Sequence, residues 1–311
     1  MPAISIIIPV FNSDRFIQSS ILSVLRQTFS DFELCIIDDG STDHTLAIVE
    51  RLQASDSRIR VLSRPNTGYV IALNELLEIA TAPLVARMDA DDICLPDRLA
   101  HQVAFMDAHP AVVASAGDFD LIDDRDRLIG RVQHPLHDTD IQAALLKGTS
   151  CLCHPAVIMR REAVLAAGGY RPDRYGAEDL DLWLRLGERG KLANIRQRLL
   201  LYRMHINSVS ARHAERQMAS ARAALQDAYS RRGLPGPVPE LRSLRSTATR
   251  ADRAQMYVNW GWQSWKVGRW STPLVYAGKA LAENPLSKDS WRLLACGLLK
   301  RRPRDGAASA S

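Results

Sequence analysis

The sequence predicts an α/β protein with a mostly parallel central sheet flanked by helices, and a small α-helical extension at its C-terminal end. Three observations carry that expectation. Short β-branched runs alternate with helix-length amphipathic segments between residues 4 and 88. Those runs end at loops rich in carboxylates and turn residues. The charge balance then reverses, since residues 1–210 hold 22 Lys+Arg against 28 Asp+Glu and residues 211–311 hold 18 against 7.

Residues 4–10 (ISIIIPV) predict a buried strand that stops at Pro9 and the loop Phe11, Asn12, Ser13, Asp14. A helix is predicted over 15–27, with Ile17, Ile21, Val24 and Leu25 on one face. Residues 32–37 (FELCII) predict a second strand, which runs into Asp38, Asp39, Gly40, Ser41, Thr42 and Asp43. Ser41 or Thr42 suits the cap of a helix over 44–52, and Asp43 complements its dipole. A third strand is predicted over 58–62, a turn at Arg64, Pro65, Asn66, Thr67 and Gly68, and a helix over 70–80. Residues 82–88 (APLVARM) predict a fourth strand that delivers Asp89, Ala90, Asp91 and Asp92 to a loop, and residues 93–98 read as a loop entering a helix. Strands alternating with helices imply parallel pairing through crossovers. Such sheets bind ligands beyond the carboxyl ends of their strands, so the loops at 11–14, 38–43 and 89–92 are expected to share one rim.

Three carboxylates at a strand end repel one another unless a cation sits among them. Asp89 and Asp91, two residues apart, can both turn toward one hard divalent ion, Mg2+ or Mn2+, of the kind usually shared with substrate phosphates. A solvated acidic loop is the competing reading, and the surrounding motifs decide against it. SIIIPVFN, IDDGSTD, RPNTG, MDADD, GAEDLDLWLR and YRMHINSVS, in that order across residues 4–210, resemble the inverting nucleotide-sugar glycosyltransferases of family 2. The resemblance implies the GT-A fold, with its Rossmann-like sheet.

It also implies roles for the matching residues. Asp39 corresponds to the carboxylate that accepts hydrogen bonds from the nucleotide base. An ionised acid, being acceptor-only, suits an N–H of uracil or thymine, hence a UDP- or dTDP-sugar. Pro9 and Phe11 match the segment flanking the base, with a core role equally open, and Arg64, Asn66 and Gly68 match a loop near the nucleotide. Gly68 is also explained by a turn that needs φ > 0. Asp91 matches the metal-touching residue of the DxD motif and Asp89 a ribose or metal-water contact, with the reverse order open. The cation would offset charge on the departing nucleoside diphosphate. Asp179 matches the general base and Glu178 is the runner-up. Acids in a helix's first turn also have an ordinary explanation in its dipole. The acidic neighbours push the Asp179 pKa up and the dipole pulls it down, so the sequence does not sign the shift. His205 matches a histidine that completes the metal shell or touches the diphosphate. His154 falls near the acceptor side, and Trp183 is assigned there too, although its spacing with Leu180 and Leu184 also fits a buried stripe.

At 311 residues the chain can bury a substantial core. No basic segment precedes the first apolar run, so a signal peptide is not expected. No uncharged apolar stretch approaches the roughly 18–20 residues of a spanning helix. Five cysteines, mostly within apolar runs, read as reduced thiols, and Cys151–Cys153 reads as strand and not as a metal site. These features predict a cytoplasmic enzyme, including one peripheral at the inner face of the cell membrane. The division expected is a catalytic domain over 1–215 and a basic, Trp-rich extension over 216–311, with a linker over 231–239, helices over 251–267, 273–283 and 287–300, and a disordered tail. Its tryptophans among Lys266, Arg269, Lys279 and Arg292 fit either contact with an anionic membrane or a packed helical hairpin. Nucleic acid is not an expected partner, since no binding motif accompanies the basic residues. The expected function is transfer of a sugar from a nucleotide-sugar donor to a glycan or lipid-linked acceptor hydroxyl, in surface polysaccharide or lipid-linked glycan assembly. The alternatives are a sugar nucleotidylyltransferase, whose Gly-rich first loop is missing here, and a non-catalytic nucleotide-sugar-binding module.

Overall fold

The apolar runs of the N-terminal half become strands in the computed structural model of the chain, which describes residues 1–205, 214–241 and 249–299. β1 (Ile4–Val10), α1 (Ile17–Leu25), β2 (Phe32–Asp38), α2 (Thr45–Gln53), β3 (Ile59–Ser63), α3 (Tyr69–Ile79) and β4 (Leu84–Arg87) follow in sequence. Their strands lie in the order β3-β2-β1-β4, all parallel. β1 and β2 are buried on both faces, which is why their sequences are continuously apolar. The register pairs Val10 with Asp38 and Asp38 with Ser63, so the carboxyl ends stand level and the following loops meet.

β5 (Ile93–Cys94), α4 (Arg98–Ala108), β6 (Val112–Ile122), β7 (Leu128–Val132), α5 (Asp138–Leu145), β8 (Ile158–Arg160), α6 (Arg161–Ala166), α7 (Glu178–Leu186) and β9 (Lys191–Arg203) follow. They extend the sheet to β3-β2-β1-β4-β8-β6-β9-β5, with β7 on β6. β8 runs antiparallel to β4 and β6, and β5 antiparallel to β9.

Three local expectations are corrected. The segment read as a loop after Asp92 contains β5, because Ile93 and Cys94 find Leu201 and Leu200 opposite them, a pairing over a hundred residues long that no local pattern reveals. Cys151–Cys153 is not strand: the Cys151 carbonyl accepts from Asn194 Nδ2 (2.9 Å), and His154–Ala156 turns as a 3-10 helix, so β8 begins only at Ile158. Ser41 and Thr42 do not cap α2. Asp43 Oδ1 accepts the Thr45 amide instead (2.9 Å), which frees Ser41 and Thr42 to bind Asn12 across the rim.

The described residues divide into two compact units. The first takes in Met1–Phe119, Gln133–Tyr202 and the described residues from Glu215 to 241. Ala221, Ala224, Leu225 and Ala228 of α8 (Ala214–Arg231) join its core, so this unit continues beyond the boundary expected at 215. The second takes in Asp120–Val132, the described residues of 203–214 and those from 249 onward. It holds α9 (Arg250–Lys266), α10 (Thr272–Glu283) and α11 (Lys288–Leu299), close to the three helices expected. Thr249 and Asp252 close a capping box on α9. Tyr257, Val258, Trp260, Tyr276 and Leu293 pack with Ile129, and the Tyr276 hydroxyl donates to Asp123 Oδ2 (2.7 Å). Trp260 and Trp265 are therefore core, as the packed-hairpin reading requires, while Trp270 and Trp291 are half exposed. The tail from 301 onward lies outside the described residues. Among the described residues no helix is long and apolar enough to cross a membrane.

Candidate active site

The rim at the carboxyl ends of β1 and β2 is stitched by short polar bonds. The Asn12 amide donates to Ser41 Oγ (2.9 Å), the Thr42 amide to Asn12 Oδ1 (2.8 Å) and the Ser13 amide to Thr45 Oγ1 (2.7 Å). Asn12 adopts a positive φ of 46°, a conformation asparagine tolerates, to turn the chain there. Pro9 is half-buried, whereas Phe11 is 49% exposed on the rim.

Asp39 is buried and organises the neighbouring loop. Its oxygens accept the amides of Thr67 (2.9 Å) and Gly68 (3.0 Å) and pair with Arg64. Arg64 also binds Glu75 (2.6 Å), while its Nη2 has no partner among the described residues. Gly68 has φ +101°, as the turn demanded, and Asn66 is exposed at its tip. Gly40 sits at φ +77°, and a Cβ there would lie 2.7 Å from the Asn66 backbone nitrogen, so loop and strand end approach too closely for a side chain. Asp38 braces the same place, accepting from Ser63 Oγ (3.0 Å) and the Ser41 amide (3.3 Å). An ionised carboxylate has about four acceptor sites, so Asp39 retains capacity for a further donor.

Beyond β4, oxygen atoms of Asp89, Asp91 and Asp92 lie within 4.8 Å of one another. Hard oxygen donors at this spacing fit a divalent cation of the Mg2+ or Mn2+ kind. Asp92, buried, joins the two acids that the DxD spacing singles out. Arg87, also buried, pairs with Asp89, and its Nε has no partner among the described residues. Burial pushes the Asp89 carboxyl above its usual range against the pull of Arg87, and Asp91 adds to the rise.

The acids opening α7 divide their work. Asp181 is fully buried and pairs with Arg185 (2.6 Å), a fold contact. Glu178 is buried and accepts from the Tyr69 hydroxyl (2.7 Å) and the Gly176 amide (2.8 Å). Burial, reinforced by the charge of Asp179, pushes Glu178 up to about 7. Asp179 is half-buried and accepts from its neighbour's amide at Leu180 (2.7 Å) and from the Ser150 hydroxyl (3.2 Å). Burial raises it too, against those two bonds and Arg87. The sign that the sequence left open is therefore upward. The field of Arg87 acts on Asp89, Glu178 and Asp179 alike.

Below this site His154 is buried, with Nε2 2.9 Å from the Tyr170 hydroxyl. Burial and then Arg87 depress its pKa well below the ordinary value, so it is neutral. Trp183 stands edge-on to His154 with ring centroids 5.7 Å apart and is completely enclosed. Its assignment to the acceptor side is corrected: the 3–4 spacing with Leu180 and Leu184 turns it into the core. His205 lies two residues beyond β9 in the second unit and is half-buried. Sequence reasoning missed Arg87, Tyr69 and Ser150. A lone cation inside the apolar run 82–88 was the available signal for Arg87, and Ser150 offered none.

The sequence profile of Glycosyl transferase family 2 matches residues 5–166. The putative glycosyltransferase EpsE of Bacillus subtilis (strain 168) is 35% identical over 193 residues, 61% of this chain and 68% of the relative. The O-antigen biosynthesis glycosyltransferase WbnJ of Escherichia coli is 32% identical over 209 residues, 66% of this chain and 81% of the relative. Among solved structures, S. aureus TarS 1–349 in complex with UDP-GlcNAc superposes with a TM-score of 0.61 at 15% identity, covering 97% of this chain and 93% of that one. The mannosyltransferase PcManGT from Pyrobaculum calidifontis, in complex with GDP-Man and Mn2+, gives 0.53 at 19% identity, covering 96% and 80%. At these identities the structural likeness establishes a GT-A-like fold.

Proposed function

The chain belongs to glycosyl transferase family 2, and on that premise we propose that it moves a sugar from a nucleoside-diphosphate donor to an acceptor hydroxyl with inversion at the anomeric carbon. The observation that carries this reading is the pairing of a three-carboxylate cluster with an acid pair, Glu178 buried and Asp179 half-buried, both in the field of Arg87. The first suits a diphosphate bound through a cation, and the second suits proton removal.

Asp39 and the 64–68 loop would receive the base, with Asp39 accepting an N–H of uracil or thymine. Pro9 and Phe11 would flank it, and Arg64 would contribute its unpartnered Nη2. Asp91, with Asp89 and Asp92, would hold a divalent cation. When bound, that cation neutralises charge gathering on the leaving diphosphate. Assignment of His205 to the same shell rests on the YRMH motif alone, and His154 acts from beneath the acceptor side. Asp179 takes the proton of the acceptor hydroxyl as its oxygen bonds to the anomeric carbon. The bond from that carbon to the diphosphate breaks with its electron pair leaving on oxygen. Its raised pKa makes the ionised Asp179 a stronger proton acceptor than an ordinary carboxylate, and a positioned base contributes on the order of 100- to 10,000-fold.

Names of relatives support a surface glycan as the product: O-antigen biosynthesis in one and amylovoran biosynthesis in another, from Erwinia amylovora. TarS with UDP-GlcNAc and PcManGT with GDP-Man and Mn2+ support a nucleotide-sugar donor and a divalent ion. The setting we infer is the cytoplasmic face of the cell membrane, with the acceptor a glycan or lipid-linked glycan and peripheral contact with anionic lipid. A panel of UDP-, dTDP- and GDP-sugars, with Mg2+, Mn2+ or chelator, tests the reading through release of nucleoside diphosphate and NMR of the new anomeric linkage. Release of a nucleoside diphosphate with a newly inverted linkage is expected. No turnover with any donor and acceptor extract, a retained configuration, or full rate in chelator would each overturn the corresponding part.

A further inference from the structure

The outer helix of the second unit has an inward face set by two close approaches. A Cβ on Gly261 would lie 2.3 Å from Leu293 Cδ2, and one on Gly297 would lie 2.6 Å from Leu274 Cδ2. Leu293 and Gly297, with Ser290, therefore face α9 and α10 and are buried. The opposite face of α11 is consequently committed to the outside. It carries Trp291, Leu298 and Leu299 at 54%, 66% and 67% exposure, with exposed Ala295 between them. Leu286, 90% exposed, stands in the turn just before the helix.

Trp291 is not a loose surface ring. Its Nε1 donates to the Pro285 carbonyl (2.8 Å), which anchors it to the turn bearing Leu286. The indole's polar atom is thus satisfied internally, and the ring offers apolar area without needing a new partner. Lys288 and Arg292 flank this face and are exposed, with Asp289 the one acid on the helix. The sequence after the helix adds Lys300, Arg301, Arg302 and Arg304 against Asp305. Isolated surface leucines need no explanation, but three large apolar side chains on one helical stripe between cations do.

We propose that the outward face of α11, with Leu286, is the surface by which this protein lies on an anionic phospholipid bilayer. Trp291, Leu298 and Leu299 enter the headgroup layer, and Lys288 and Arg292 meet lipid phosphates. Charge complementarity selects this occupant: a stripe flanked by cations, in a segment of net charge +11 over residues 211–311, is matched by an anionic surface. The inference deepens the reading of a membrane-borne acceptor. It is measured without any transfer reaction, so the two can fail separately.

The test is co-sedimentation of the full chain with vesicles of phosphatidylcholine alone, or mixed with phosphatidylglycerol. Wild type should pellet with the anionic vesicles at low salt and less at high salt. A Trp291→Ser, Leu298→Ser, Leu299→Ser variant should partition at least about tenfold less, and Lys288→Gln with Arg292→Gln should lose the salt-sensitive part. Circular dichroism melts check that both variants are folded, and if the triple variant is not, the charge variant carries the test. Wild type remaining in the supernatant, or a folded variant sedimenting like wild type, would overturn the proposal. So would a wild-type dimer in size-exclusion that the triple variant breaks without any vesicle binding, which would assign the face to a second copy of the chain.

Discussion

Asp179 and Glu178 adjoin in sequence but stand in different surroundings, and that difference supports Asp179 as the proposed base. Glu178 is tied down by the Tyr69 hydroxyl and the Gly176 amide, whereas Asp179 is half-buried with one oxygen on an exposed serine. The freer acid is the better base. Asp179→Asn should retain donor affinity in calorimetry and lose roughly 100-fold or more in kcat, since only the proton acceptor is removed. Near-normal turnover would transfer the role to Glu178. Asp179, as the proposed base, must be ionised, so rate should rise with pH on the acid side, over a range displaced upward from that of an ordinary carboxylate. The Tyr69 hydrogen bond lowers the Glu178 pKa. Tyr69→Phe removes it, so Glu178 should hold its proton to higher pH, read as an upward shift of its carboxyl titration by NMR. An unmoved Glu178 titration would show that this hydrogen bond does not set its pKa.

At the scale of elements, the 64–68 loop, proposed to receive the donor, is held by a strand end rather than by its own conformation. Gly40 leaves no room for a methyl group beside the Asn66 backbone and adopts a φ that L-residues disfavour. Gly40→Ala should displace the 64–68 loop from Asp39, raise the donor KM about tenfold and change kcat little, at a stability cost of about 1–3 kcal/mol. An unchanged donor KM would show that the loop is not part of the donor site. Glu33 fastens β2 to the connection entering β4. Its Oε1 accepts from Ser5 Oγ (2.6 Å) and from the Thr81 amide and hydroxyl (both 2.7 Å), and its Oε2 from Arg60 (2.8 Å). Burial pushes its pKa up, yet these hydrogen bonds together prevail and lower it from 4.5 to about 2. Its folded pKa being depressed, Glu33 contributes stability that is present above about 4.5 and lost as pH falls toward 2. Glu33→Gln should cost about 1–3 kcal/mol in urea titrations at neutral pH, with the difference from wild type shrinking through that window. A constant difference down to pH 2 would refute the assignment.

For the whole molecule, binding and stability are linked. A nucleoside diphosphate with Mn2+ that binds only the folded chain should stabilise it by about 2.7 kcal/mol at a hundredfold excess over Kd. Thermal melts with UDP, with and without chelator, measure this. Asp91→Ala should abolish the ion-dependent part, since the cluster loses one of its three carboxylates. Equal ion-dependent stabilisation of that variant would place the cation elsewhere.

Much of the fold was legible because its signals are local. β-branched runs, 3.6-residue periodicity, the glycine at 68 and the strand-end aspartates all act within a few residues, and they located β1 to β4, their helices and the rim loops. Long-range pairing was not legible. β5 exists because Leu200 and Leu201 lie opposite, and Asn194 takes the Cys151 carbonyl from a strand ladder. At the proposed site, the sequence names Asp39, Asp89, Asp91, Glu178 and Asp179 as candidates, but not the environments in which they stand. Whether burial or the helix dipole wins at Asp179 is a competition between solvation and field, and only packing decides it. The same holds for Trp183, turned into the core by its helix, and for the tryptophans of the C-terminal helices. Trp260 and Trp291 look alike in sequence, yet one is buried and the other half exposed. Composition determined that the extension would be basic and aromatic. Only the three-dimensional packing of α9, α10 and α11 decided which rings meet solvent, because solvent exposure depends on residues distant in the chain.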